Sequence, residues 1–172
     1  MEAGTSAESS SPYFWLNSGG KMPISGGIGG TIQGTLPTSD GEYSMYRSMN
    51  PLDTDNGKHP QNTFRLVTKA NWANVDESVQ FNITKTNLTN TPNRDGYSGI
   101  FLMGRYKDSD NLYYAGIRHD GQAIIKKKIN GTYYTLTYKQ IFGKEGDYYK
   151  WTNPNLIPQN KWMKLRSSFE NL

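Results

Sequence analysis

Residues 97–138 read YSGIFLMGRYKDSDNLYYAGIRHDGQAIIKKKINGTYYTLTY, four runs of β-favouring residues broken by three turn signals. The first run, 98–106, closes at Lys107-Asp108-Ser109-Asp110-Asn111, whose short polar side chains bond their own backbone and cap a reversal. The second, 112–118, ends at His119-Asp120-Gly121-Gln122, where Asp-Gly supplies the positive φ that a tight hairpin needs. The third, 123–129, meets Asn130-Gly131, among the strongest short hairpin signals, and the fourth, 132–138, is built mostly of tyrosine and threonine. Sequential antiparallel strands, a β-meander, are the expectation.

Outward from that centre the same chemistry continues. Residues 78–83 alternate cleanly, with Val79, Phe81 and Ile83 on one face and Ser78, Gln80 and Asn82 on the other. Residues 63–69, TFRLVTK, form a shorter strand, and 13–16 an aromatic one that stops at a Gly-Gly turn. Residues 162–169, WMKLRSSF, return to strand chemistry after a proline-marked loop. No segment sustains a 3.6-residue period, so the expected architecture is all-β, two packed antiparallel sheets with Ile100, Leu102, Ile117, Val79, Phe81 and Leu165 in the core. The 172 residues suit one domain running from Pro12 to Leu172, preceded by a disordered linker at 1–11 rich in Ser, Ala and Glu.

Composition removes several classes of function. The chain has no cysteine, hence no disulfide, thiolate metal site or cysteine nucleophile. No run of about 18 apolar residues exists, so membrane insertion is not expected, and the first residues as they stand lack the charged start and apolar stretch of a signal peptide. A net charge of +4 is mild for a nucleic-acid binder, and the one dense patch, Lys126-Lys127-Lys128, alternates between the two faces of its strand. Nucleic acid is therefore not an expected partner. The glycine-rich 26–34 stretch lacks the Gly-Lys-Ser/Thr ending of a phosphate loop and the helix that follows a dinucleotide loop; its glycines read as packing or bulge positions. Asn82, Asn87 and Asn130 each head an Asn-x-Thr triplet, which matters only on a eukaryotic secretory route.

Residues 37–62 form the longest irregular segment, and long loops in compact domains are commonly functional. Asp53, Asp55 and Asn56 resemble the front half of an EF-hand loop, but the glycine comes one residue early and no closing glutamate follows. Two readings stay open for them, an Asx-rich turn and a Ca2+ site of another type.

The run GIFLMGRYKDSDNLYYAGIRHDGQAIIKKKINGTYYTL, followed by Asn160-Lys161-Trp162-Met163-Lys164-Leu165-Arg166, resembles the concanavalin A-like (laminin G-like) jelly rolls of lectins, carbohydrate-binding modules and some polysaccharide-degrading enzymes. The resemblance covers about 97–166. It implies a jelly-roll β-sandwich, an extracellular or cell-surface location and a polysaccharide or glycan partner. Glucanases of that fold carry Glu-x-Asp-x-x-Glu on one strand, so that nucleophile and acid flank the bond about 5 Å apart, and this chain has no such triplet. Tyr113-Tyr114-Ala115-Gly116-Ile117 is similar to the Tyr-x-Lys-Ala-Gly-x-Tyr strand of alginate lyases, without its lysine and last tyrosine.

The leading reading is a non-catalytic carbohydrate-binding or surface-adhesion module, since twelve tyrosines and four tryptophans offer flat apolar faces with wet polar edges. Alternation puts Tyr114 and Arg118 on one face of their strand, and Phe101, Met103 and Arg105 on one face of its neighbour. Tyr114, Arg105, Arg118, His59 and Asn62 are the candidate ligand residues. The alternatives are a lyase or hydrolase using His59, His119 or Tyr114, and a structural domain of a larger surface protein. Jelly rolls of the resembling superfamily continue past the Trp-started strand, so the expectation is also that this chain lacks its last strands, belongs to a longer polypeptide with further domains, and presents an unpaired sheet edge.

Overall fold

The computed structural model describes residues 3–17, 21–49, 51–60, 65–91 and 94–171. Within them strands dominate, all ladders between strands are antiparallel and one short helix appears: the fold is all-β. Contacts divide the chain into two compact units where the sequence suggested one domain, Met1–Asn71 with Thr89–Arg94 and Trp72–Leu88 with Asp95–Leu172.

In the first unit β1 (Phe14–Asn17) pairs with β4 (Arg65–Thr68), setting Leu16 against Leu66 and Asn17 against Arg65. The linker expected at 1–11 is instead, over residues 3–11, a turn laid against β1. Trp15 Nε1 donates to the Ala3 carbonyl at 3.0 Å, Ser9 Oγ donates to the Phe14 carbonyl at 2.7 Å, and both Ala3 and Ser9 are buried. The indole needs an acceptor when it packs, and the turn supplies it. The glycine-rich stretch folds as a two-residue hairpin, β2 (Ile24–Ser25) and β3 (Ile28–Gly29), with Gly26 and Gly27 both at positive φ as a type I′ turn demands.

The irregular 37–62 segment contains a helix, α1 (Tyr43–Met49). An Asx turn at Asp40 leads into it, the Asp40 Oδ1 accepting from the Glu42 amide at 3.0 Å, and the Glu42 carbonyl accepts the first helical bond from the Tyr46 amide at 3.2 Å. Tyr46, fully buried, anchors it and donates its hydroxyl to Glu42 Oε2 at 2.6 Å. Lys21 pairs with Asp40 at 2.9 Å and Glu42 at 3.5 Å, and its ammonium holds the Asp40 carboxyl below the usual aspartate range.

The second unit holds a ribbon and a sheet. The ribbon is β5 (Val75–Phe81) with β10 (Met163–Phe169). Its register puts Val75, Val79, Phe81, Met163, Leu165 and Phe169 on one half-buried face, and Asp76, Ser78, Lys164 and Arg166 on an exposed one. The sheet is the expected meander, in order β6 (Gly99–Asp108), β7 (Asn111–Arg118), β8 (Gln122–Ile129), β9 (Thr132–Gln140). Asn130 and Gly131 adopt φ of +46° and +80°, the mirror-image turn that suits strand twist. The ribbon meets the sheet at β6, where the Phe169 ring lies against Gly104.

A ribbon of two strands covers only part of a four-stranded sheet, which explains the shortfall in the expected core. Ile117 is buried, but Ile100, Leu102, Val79, Phe81 and Leu165 are only half-buried. The fully enclosed apolar side chains of this unit are Leu112, Ile117, Ile124 and Ile157. Ile157 comes from the 141–162 loop, whose Leu156 amide donates to the His119 carbonyl at 2.8 Å. No helix among the described residues is long and apolar enough to cross a membrane.

Candidate functional site

Register decides which residues share a face. Gly99, Phe101 and Met103 of β6 stand opposite Arg118, Gly116 and Tyr114 of β7; Gly116 and Tyr114 stand opposite Ile124 and Lys126 of β8; and Gln122, Ile124, Lys126 and Lys128 stand opposite Gln140, Tyr138, Thr135 and Tyr133 of β9. These residues make up one face of the sheet. Leu136 is an extra residue in β9, a bulge between Thr135 and Thr137.

A cleft of about 570 Å³ opens at one end of that face. Arg118, Gln122, Ile124, Thr135, Tyr138 and Gln140 form its floor, 95–97 one wall, and Glu145, Gly146 and Tyr148 the other. All belong to the second unit.

Local hydrogen bonds hold it. Asp95 Oδ1 accepts from the Tyr97 amide at 2.8 Å, an Asx turn that sets the first wall. The Tyr97 ring lies over the Arg118 guanidinium, 4.2 Å from its central carbon, and Arg118 is ion-paired to Asp120. Asp120 also caps the hairpin, accepting from the Gln122 amide at 3.2 Å. Gln140 Nε2 donates to the carbonyls of Asp120 (2.8 Å) and Phe142 (2.6 Å), tying the β7–β8 turn to the exit of β9. Tyr148 packs against Gly96 and joins the two walls, so closely that a Cβ on Gly96 would lie 3.0 Å from the ring.

Two polar atoms of this framework are left over. Arg118 Nε and Gln140 Oε1 are buried with no hydrogen-bond partner, so they lie behind the cleft surface and not on it. Each such unpaired group costs about 1–3 kcal/mol. The apolar surface is offered by Tyr97, 70% exposed, and Tyr138, 61% exposed. Rings of that size are usually covered, so two bare ones beside a guanidinium and two amides make a surface that is apolar on its faces and hydrogen-bonding at its edges.

The residues singled out from sequence fare differently. Arg118 lines the cleft, and Tyr114 lies further along the same face, as alternation predicts. Tyr114 is no free platform: its ring packs edge-on against Phe101 at 5.3 Å and Tyr133 at 6.3 Å, and burial pushes its hydroxyl up to about 12. Arg105 does not join them. It adopts φ +52°, the β6–β7 register shifts between Gly104 and Asp108, and alternation fails where the backbone turns left-handed.

His59, Asp53, Asp55 and Asn56 belong to the first unit, and Asn62 lies outside the described residues. Asp55, Asn56 and Gly57 adopt successive left-handed φ of +52°, +55° and +86°, so this stretch is a turn. Thr54, fully buried, closes it by accepting from the Gly57 amide at 3.0 Å. The Asp55 carboxylate faces His59 Nδ1 at 3.0 Å, and the other ring nitrogen meets Thr35 Oγ1 at 3.3 Å. Of the two readings open for Asp53, Asp55 and Asn56 the turn is present, and among the described residues no three His, Cys, Asp or Glu side chains converge. His119 is a buried fastener, Nδ1 to Asn155 Oδ1 at 2.8 Å.

The sequence reading missed Tyr97, Tyr138, Gln140, Asp120 and Tyr148. The Asp-Gly signal put Asp120 in a hairpin turn and gave it no further role; nothing in a single sequence ties 145–148 to 95–97. No protein-family model, curated protein or solved structure matches the chain.

Proposed function

We propose that this chain is a non-catalytic carbohydrate-binding or surface-adhesion module, with its glycan seated in the cleft between Tyr97 and Tyr138. The observation that carries this is the pairing of two exposed tyrosine rings with the polar side chains of Arg118 and Gln122 in one concavity. A pyranose presents C–H groups on its faces and hydroxyls around its rim. The faces suit the rings, and a hydroxyl, donor and acceptor at once, suits both a guanidinium and an amide. The all-β meander and the concanavalin A-like resemblance of 97–166 point the same way, and the reading carries with it an extracellular or cell-surface setting.

Several features favour binding over lyase or hydrolase chemistry. The Tyr114 hydroxyl is moved away from the range in which it could act as a base, and His119 is buried in a hydrogen bond to Asn155. Of the three carboxylates lining the cleft, Asp120 is engaged by Arg118 and Asp95 accepts from the Tyr97 amide.

Retention on a panel of immobilised polysaccharides tests the proposal. Tyr138→Ala should weaken retention on a responsive glycan about 30-fold, near 2 kcal/mol for an aromatic anchor. Its exposure keeps the effect on stability within about 0.5 kcal/mol. An unretained wild-type protein, or an unaffected Tyr138→Ala and Tyr97→Ala pair, would overturn the assignment.

A further inference from the structure

Three cations lie on the cleft-bearing face, and they are not equivalent. Arg118 is paired with Asp120, and Lys128 with Asp110 at 3.1 Å. Lys126 is half-buried and has no carboxylate partner within ion-pair distance among the described residues; its ammonium rests over the Tyr133 ring at 5.4 Å. Its cross-strand neighbour on β9 is Thr135, which lines the cleft, and on β7 it is Tyr114. An ammonium resting over a ring keeps donors free for an anion, whereas one in an ion pair already has its anion. Lys126 therefore borders the cleft as a cation with no ion-pair partner among the described residues.

The carboxylates of the cleft do not meet it. Asp120 caps the turn that leads into β8 at Gln122, and Gln122 and Lys126 are four residues apart on β8, about 13 Å along the strand. That exceeds the screening length of about 8 Å at physiological salt. Beyond Lys126 on the same strand Lys128 holds the Asp110 carboxylate, so of the three cations Lys126 is the one left without an ion pair among the described residues.

We propose that the glycan bound here is an acidic oligosaccharide, with sugar rings at Tyr97 and Tyr138 and a carboxylate or sulfate group on Lys126. The inference rests on the saccharide reading above and adds a charge and a minimum length, since one sugar ring does not span the distance from Gln122 to Lys126. Lys127 serves as an internal control, because its ammonium lies over Tyr134 on the opposite face of the sheet.

The test is calorimetric titration of the whole chain with oligosaccharides of one backbone in three forms: neutral, uronate-bearing and sulfated. One acidic form should bind about tenfold tighter than the neutral form at low salt, and the advantage should shrink as sodium chloride is raised through the range where screening closes in. Lys126→Gln should erase that advantage while leaving neutral binding in place, and Lys127→Gln should preserve it. The uronate and sulfate arms tell the two anions apart. Equal binding of neutral and acidic forms, or equal loss in the Lys126→Gln and Lys127→Gln variants, would overturn the acidic assignment while the saccharide reading stood. Failure of all three forms and of the wider polysaccharide panel would bring down both.

Discussion

Gly104 and Phe169 make the contact through which the β5–β10 ribbon meets the sheet, and they can be tested as a pair. A methyl group on Gly104 would fall inside the Phe169 ring, well within the 3.5–4.0 Å or so at which carbon atoms rest. The backbone gives little room, because Gly104 is buried, paired with Tyr113 and followed by Arg105 at φ +52°. Gly104→Ala should therefore cost about 2–3 kcal/mol, the upper part of the overpacking range. Phe169→Ala removes a ring that is only half-buried, so about half of the usual 3–5 kcal/mol, near 2, is expected. If the two changes were independent, the double variant would lose about 4–5 kcal/mol. The added methyl instead occupies space the ring has left, so the double variant should lose only about 2 kcal/mol. Urea unfolding followed by tryptophan fluorescence, fitted with a common m-value, measures all four corners of the cycle. A double variant within about 0.5 kcal/mol of the sum would show that the ring does not rest on Gly104.

Glu77 lies on the apolar face of the ribbon opposite Ser167, and burial raises its pKa. The folded state therefore holds that proton more tightly than the unfolded chain, and stability declines as pH rises from the ordinary glutamate range through the raised folded value. Glu77→Gln should melt higher than wild type at pH 7 and together with it near about pH 3.5, below both values; a melting difference that does not change with pH would refute this. Tyr46→Phe removes the hydroxyl that donates to Glu42 inside the first unit and should cost about 2 kcal/mol, the range for a hydrogen bond to a charged group. Urea titration reads it, and an unchanged midpoint would mean that Glu42 is not held by Tyr46.

The four meander strands could be read from their turns because the cues are local. Asn130-Gly131 and the Asp108 to Asn111 cluster act within a few residues, with Asp108 Oδ1 accepting from the Asp110 amide at 2.8 Å and the Asn111 side-chain amide at 3.0 Å. Alternation likewise carried Tyr114 and Arg118 to one face, since β7 is regular throughout. It failed at Arg105, where a left-handed residue breaks the period. The helix at Tyr43–Met49 escaped because seven residues are too few to show a 3.6 repeat, and the Asx turn at Asp40 that leads into it is no specific helix signal. The cleft walls were out of reach for another reason. Tyr148 meets Gly96 across more than fifty residues, and such closure depends on the folding of a whole loop, which no window of sequence contains.

The bulge at Leu136 has a consequence for how this protein tolerates insertion and deletion. Tyr133 and Tyr138 are five positions apart, an odd number, so in an unbroken strand one would stand on each side of the sheet. The single extra residue restores them to the same side. Loss of Leu136 would leave four steps between them in an unbroken strand, an even number, so both tyrosines would keep their side while the bulge disappeared. A strand that kept all five steps but ironed out the bulge would instead turn one ring to the opposite side, so in β9 the bulge and the residue count have to change together.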